Sequence, residues 1–179
     1  ADVAAAGDEP RLLAERLIGV AAVIANPNRF AAGKWAIANL GSEVFVLDDG
    51  FQHLGLARDL DILTIDATNP FGNGRLLPYG PLREPMAGLS RAGCVVITRT
   101  EQVADPITVK NEFERLAAAV PLLSSRMVTA SLKPLGDKNI DHVNLKDQAI
   151  GAFCGVGNPE SFFEHLRRDD YTLAFTKAF

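Results

Sequence analysis

Residues 44–85 read VFVLDDGFQHLGLARDLDILTIDATNPFGNGRLLPYGPLREP, and the rest of the 179-residue chain is read outward from them. A short apolar run ends in two carboxylates, Asp48 and Asp49. A glycine turn follows, with Gln52 and His53 just beyond it. A second strand-like run, Asp61 to Asp66, then leads into a loop rich in Gly, Pro and Arg. Strands that deliver acids at their carboxyl ends are how open α/β sheets build ligand sites.

Upstream, Pro10 suits the first turn of a helix, with Asp8 and Glu9 near its positive end. Leu12, Leu13, Leu17 and Ile18 keep helical spacing, and Ala21 to Ala25 reads as a short strand broken by Asn-Pro-Asn. Phe30 to Leu40 is helical again and stops at Gly41-Ser42. Glu43 to Leu47 is then the strand that carries the two acids. Downstream of the central loop, Met86 to Ala92 predicts a short helix, Cys94 to Thr98 a buried strand and Pro106 to Ala119 a helix. Three loop prolines, at 78, 81 and 85, predict a fixed shape rather than a floppy one. After Pro121 the pattern turns extended on either side of a polar Gly136-Asp137 turn, which reads as a hairpin or linker. Gln148 to Cys154 restarts a strand, Asn158 and Pro159 cap a new helix, and Tyr171 to Phe175 is a last apolar piece. Strands and helices alternating in this way argue for βαβ units and a mostly parallel sheet.

Composition narrows the class. Hydrophobic content of 47% and charged content of 22% are those of a globular domain. A net charge of −4 gives no global field for nucleic acid, so none is expected as a partner. Cys94 and Cys154 both sit in apolar runs and read as small core residues rather than a disulfide. No apolar run approaches the ~20 residues of a spanning helix, and residues 1–10 do not read as a signal peptide.

The acids suggest the chemistry. In phosphotransferases built on a P-loop, an Asp in the position of Asp49 organises Mg²⁺ on the nucleotide. Mg²⁺ takes one or two carboxylates and fills its remaining positions with phosphate and water. Gln52 follows Asp49 by three residues, so one helical turn would bring its amide to the same ion. An acid that merely caps a strand-end turn is the plainer alternative. His53 is suited to phosphate or substrate, or to packing. Arg83 can clamp phosphate and Glu84 can position metal or hydroxyls; otherwise the two pair with each other. Asn73, Gly74 and Arg75 offer side-chain and backbone donors, or simply stiffen the loop.

Taken together, DDGFQH at 48–53, RDLDI at 58–62, FGNGRLLPYGPLREP at 71–85 and AFCGVGNPESFF at 152–163 resemble the tetraacyldisaccharide 4′-kinase family, as does GDEP at 7–10. The resemblance implies a P-loop kinase that uses ATP and Mg²⁺ to phosphorylate the 4′-hydroxyl of a tetraacylated glucosamine disaccharide 1-phosphate. It implies peripheral contact with the cytoplasmic face of the bacterial inner membrane. It also implies Asp48, Asp49 and Gln52 at the nucleotide and metal, with Asp8 as catalytic base; a plain helix-terminal acid is the less favoured alternative there. Arg83 and Glu84 would join the catalysis, while His53, Asn73, Gly74 and Arg75 would face the substrate.

The family also carries a G-x-x-x-x-G-K-[S/T] loop, which does not occur here. Gly33-Lys34-Trp35 comes nearest but lacks the earlier glycine and the hydroxyl. The expectation is therefore an internal piece of such an enzyme, inactive alone. Its fold class would be α/β: a P-loop NTPase-like core at 1–122, an extended linker at 123–147 and the start of a second small α/β domain at 148–179. Unpaired sheet edges would make such a piece poorly soluble by itself. A degenerate, non-catalytic lipid- or protein-binding relative is the other reading.

Overall fold

A computed structural model describes residues 7–130, 132 and 145–179. The chain gathers into two compact units, Ala1–Asp59 and Leu60–Phe179.

Two helices make up the regular structure described in the first unit. α1 spans Asp8–Arg16, with Asp8 and Glu9 in the first turn and Arg16 in the last. That polarity is the one the helix dipole favours. α2 spans Arg29–Leu40. Its start is fixed by Asn28, whose side chain accepts a bond from the Ala31 N–H at 2.9 Å. It stops at Gly41, which takes φ 63° and donates its N–H to the Ile37 carbonyl at 3.2 Å. A side chain at that backbone conformation would be strained.

The two strands expected in this unit, Ala21–Ala25 and Glu43–Leu47, do not form: no described residue before Asp59 is in a strand. A strand exists only through ladder bonds to a neighbour, and the described residues of this unit supply none. Val44 and Val46 are accordingly 82% and 94% exposed.

In the second unit the alternation gives parallel pairing. β1 (Ile62–Asp66), β2 (Cys94–Thr98) and β3 (Leu122–Ser124) form a sheet with β2 in the centre. Ile62 lies opposite Cys94, Asp66 opposite Thr98, and Val95 opposite Leu122, all in parallel register. The central strand carries the core, since Val95 and Ile97 are each 1% exposed. α3 (Pro106–Leu116) connects β2 to β3. Its Asp105 cap accepts from the Ile107 and Thr108 N–H groups at 3.0 and 3.1 Å. Phe113 is the buried residue of α3, whereas Ile107 is exposed. The Phe71 ring lies 4.8 Å from that of Phe113, so α3 also anchors the start of the central loop.

A second βαβ turn follows. β4 (Ala149–Cys154) and β5 (Thr172–Ala178) pair in parallel, joined by α4 (Pro159–Arg168). Asn158 caps α4 by accepting from the Ser161 N–H at 3.2 Å, with Pro159 as the first helical residue. The Phe175 ring lies over Gly151, where a Cβ would fall 2.1 Å from it and push the ring aside. The extended arms expected on either side of residues 136–137 lie mostly outside the described residues. Where described, the first arm adds β3 to the sheet in parallel. Cys94 and Cys154 are half-buried free thiols. Among the described residues, no helix is long and apolar enough to cross a membrane.

Candidate functional site

In the first unit, Asp48, Asp49, Gln52 and His53 lie on consecutive tight turns rather than on a helix. Asp49 takes φ 51°, a left-handed conformation that Asp tolerates better than most residues. Gly50 has to be glycine, because a Cβ would sit 2.8 Å from that of Leu47. The His53 N–H then bonds the Gly50 carbonyl at 3.0 Å, closing a turn that brackets Gln52. Arg58 holds the far side, its guanidinium donating to the carbonyls of His53 and Leu56. Asp48, Asp49, Gln52 and His53 are all exposed, as is Asp8 on the first turn of α1. No cluster of three or more His, Cys, Asp or Glu is present among the described residues. The oxygen donors of Asp49 and Gln52 fit an ion such as Mg²⁺, which keeps several waters and needs few protein ligands. They do not make a closed cage.

His53 also faces an open depression of about 530 Å³. The opposite wall is the start of α2, with Asn28, Arg29 and Phe30. The Arg29 guanidinium donates to the Asn26 carbonyl, which steadies this wall. Arg29 and the positive end of α2 make the surroundings of His53 favourable to an anion. Nothing in the spacing of the sequence singled out Arg29.

The second unit carries Asn73, Gly74, Arg75, Arg83 and Glu84. The loop that holds them is closely specified, as its prolines predicted. Asn73 spans it, donating from Nδ2 to the Tyr79 carbonyl at 2.8 Å and accepting the Arg75 N–H on Oδ1 at 3.1 Å. Gly80 leaves room for that clamp, since a Cβ would lie 2.1 Å from Asn73 Oδ1. Gly72, at φ 56°, leaves room for Pro81, whose Cγ would be 2.3 Å away. The Leu77 N–H bonds Leu82 O at 2.9 Å, and the Leu82 N–H bonds Arg75 O at 3.2 Å. The Leu77–Pro78 peptide is cis. Asn73 thus spends its side chain on the loop itself, whereas Arg75 is exposed. Glu84 pairs with Arg91 at 2.7 Å. Gly88 makes that possible, as a Cβ there would be 2.3 Å from the Glu84 carboxylate.

A third group was not foreseen. Asp66 ends β1 and gathers partners from three segments. Its Oδ1 accepts the Thr68 N–H at 3.0 Å and the Thr68 hydroxyl at 2.7 Å. Its Oδ2 accepts from the Arg99 guanidinium, and from Asn158 Nδ2 at 3.3 Å. Burial pushes the carboxyl up, but the Thr68 bonds outweigh it, helped by Arg99 and Asn158, and hold it below the usual carboxylate value. Arg99 reaches this position from φ 55°, directly after β2. Asn158 therefore both caps α4 and ties it to the carboxyl end of the three-stranded sheet. Period and propensity cannot reveal a contact between residues 92 positions apart.

Comparison with known proteins places this geometry. The family model LpxK, tetraacyldisaccharide-1-P 4′-kinase, matches residues 1–179. The tetraacyldisaccharide 4′-kinase of Anaeromyxobacter dehalogenans strain 2CP-C is 39% identical over 178 residues, covering 98% of this chain and 47% of that protein. The enzyme of the same name from Geobacter metallireducens is 41% identical over 177 residues, covering 98% and 50%. The chain thus spans about half the length of the curated relatives it matches. Among solved structures, the "apo" form of LpxK from Aquifex aeolicus in complex with ATP superposes with a TM-score of 0.66 at 31% identity, over 97% of this chain and 51% of that one.

Proposed function

This chain belongs to the tetraacyldisaccharide-1-P 4′-kinase family, and from that premise we propose that it serves transfer of phosphate from ATP to the 4′-hydroxyl of a tetraacylated glucosamine disaccharide 1-phosphate. The observation that carries the reading is the family match over residues 1–179, with the Asp48–His53 turn and the 71–85 loop both intact within it.

Phosphoryl transfer demands positioning and charge neutralisation more than covalent chemistry. Asp49 and Gln52 would hold Mg²⁺, with Asp48 beside them, and the ion would neutralise charge on the transferred phosphate. Asp8 accepts the proton of the sugar hydroxyl; its exposed place on the first turn of α1 leaves the carboxylate open to substrate. Arg83 steadies phosphate, and Glu84, oriented by Arg91, directs hydroxyls or metal waters. His53, Gly74 and Arg75 meet the headgroup, while Asn73 sets the loop that presents them. A lipid substrate places the protein peripherally on the cytoplasmic face of the inner membrane.

The test uses the full-length product of the gene that encodes this chain. Radiolabel from γ-labelled ATP should appear in the disaccharide lipid and disappear when Mg²⁺ is chelated. Lipid bound but never phosphorylated would instead identify a binding module.

A further inference from the structure

The tip of the 71–85 loop combines three properties that rarely coincide. It is apolar and exposed: Leu76, Leu77 and Tyr79 are 43%, 63% and 79% accessible. It is also held in one shape, by the Asn73 clamp on Tyr79 and Arg75 and by the paired Leu77, Leu82 and Arg75 backbone bonds. Finally, its tip carries a cation, Arg75, with no acid between residues 67 and 83, in a chain of net charge −4. An exposed Leu alone needs no explanation. Here, however, Arg75, Leu76, Leu77 and Tyr79 together line an open depression of about 470 Å³.

We propose that Leu76, Leu77 and Tyr79, flanked by Arg75, form a wedge that docks on the surface of an anionic lipid bilayer. The proposal deepens the lipid-kinase reading and rests on it for the choice of a membrane over a protein partner. Apolar side chains gain by entering the boundary between headgroups and acyl chains. Tyr suits that depth, having an apolar ring and a polar tip. Arg75 can lay its stem along the apolar surface and keep its guanidinium among lipid phosphates. Because the loop is already ordered, docking need not fix it, and that preorganisation favours association. The wedge would bring the donors at Gly74 and Arg75 to headgroup level, where a lipid substrate presents its sugars.

The test again uses the full-length gene product, with vesicles free of any kinase substrate. Vesicles of phosphatidylglycerol mixed with phosphatidylcholine should bind it, and phosphatidylcholine alone should bind it more weakly. Arg75→Gln should weaken binding about fivefold at low salt, as expected for one interfacial cation. The pair Leu76→Ser and Leu77→Ser should weaken it by about tenfold or more, since affinity follows buried apolar area. Tyr79→Trp gives an independent readout: its added emission should shift to the blue on binding and be quenched by brominated acyl chains. Failure to bind the anionic vesicles overturns the proposal. So does binding that survives the double substitution, or that leaves the indole introduced by Tyr79→Trp unquenched. Transfer to detergent-dispersed substrate reports the kinase separately, so either reading can fail without the other.

Discussion

The substitution Asp66→Asn should destabilise the protein by about 2 kcal/mol at neutral pH, and the loss should shrink in acid. The substituted amide retains a carbonyl oxygen for the Thr68 N–H and hydroxyl, so those two bonds survive. Its NH₂ group, however, presents donors where Arg99 and Asn158 Nδ2 now donate. The partly buried ion pair, with side chains 30% and 26% accessible, contributes about 1 kcal/mol after solvent screening. The Asn158 bond to a charged acceptor adds roughly another 1 kcal/mol, less than the about 1.5–3 kcal/mol usual for its kind because, at 3.3 Å, it is long. The sign with pH follows from a folded carboxyl held below its ordinary value. Such a group contributes fully above the unfolded value of about 3.9, and loses its contribution as pH falls through the lowered folded value. Urea unfolding of parent and variant at neutral pH, and again below the ordinary carboxylate range, measures both. A difference under about 0.5 kcal/mol at neutral pH, the range of ordinary surface changes, would refute the reasoning. So would a difference that is the same in acid. A double-mutant cycle with Asn158→Ala should show coupling, beyond the roughly 1 kcal/mol lost with the α4 cap itself.

Other consequences follow from single contacts. Phe113→Ala empties the position against Phe71 and should cost about 3–5 kcal/mol in thermal or chemical unfolding. Gly80→Ala should open the loop and speed amide exchange at Leu77 and Leu82, because the new Cβ would lie 2.1 Å from Asn73 Oδ1 and 2.3 Å from Arg75 O. An exchange pattern unchanged from the parent would contradict that. Both carboxylate oxygens of Glu101 are buried without a hydrogen-bond partner among the described residues. Glu101→Gln should therefore be neutral or stabilising by about 1 kcal/mol in the same unfolding assay, since it removes a buried charge. With Val44 and Val46 nearly bare, the 179-residue chain expressed alone should aggregate; a soluble monomer with a cooperative melt would show otherwise.

Local chemistry made much of the fold legible. Gly41 ends α2 where the residues said it would, and Asn158-Pro159 starts α4. The buried strand at Cys94–Thr98 was readable because a central parallel strand is apolar throughout. Glu43–Leu47 misled for the complementary reason. Its residues suit a strand, yet pairing is a property of two segments and the second is absent from the described part of its unit. The candidate site divides in the same way. The Asp48–Asp49–Gly50 turn could be located because its acids and glycine are adjacent. The partners of Glu84 and Asp66 could not, since an ion pair seven residues away and a carboxylate shared among three segments leave no periodic trace.

The measurement that bears most directly on the central claim is phosphate transfer from ATP to a tetraacylated disaccharide 1-phosphate by the full-length gene product, compared with its Asp49→Ala and Asp8→Ala variants. Transfer in the parent should fall by about two orders of magnitude or more in each variant, as expected for loss of a general base or of metal organisation. Transfer absent from the parent, or undiminished in both variants, would contradict it.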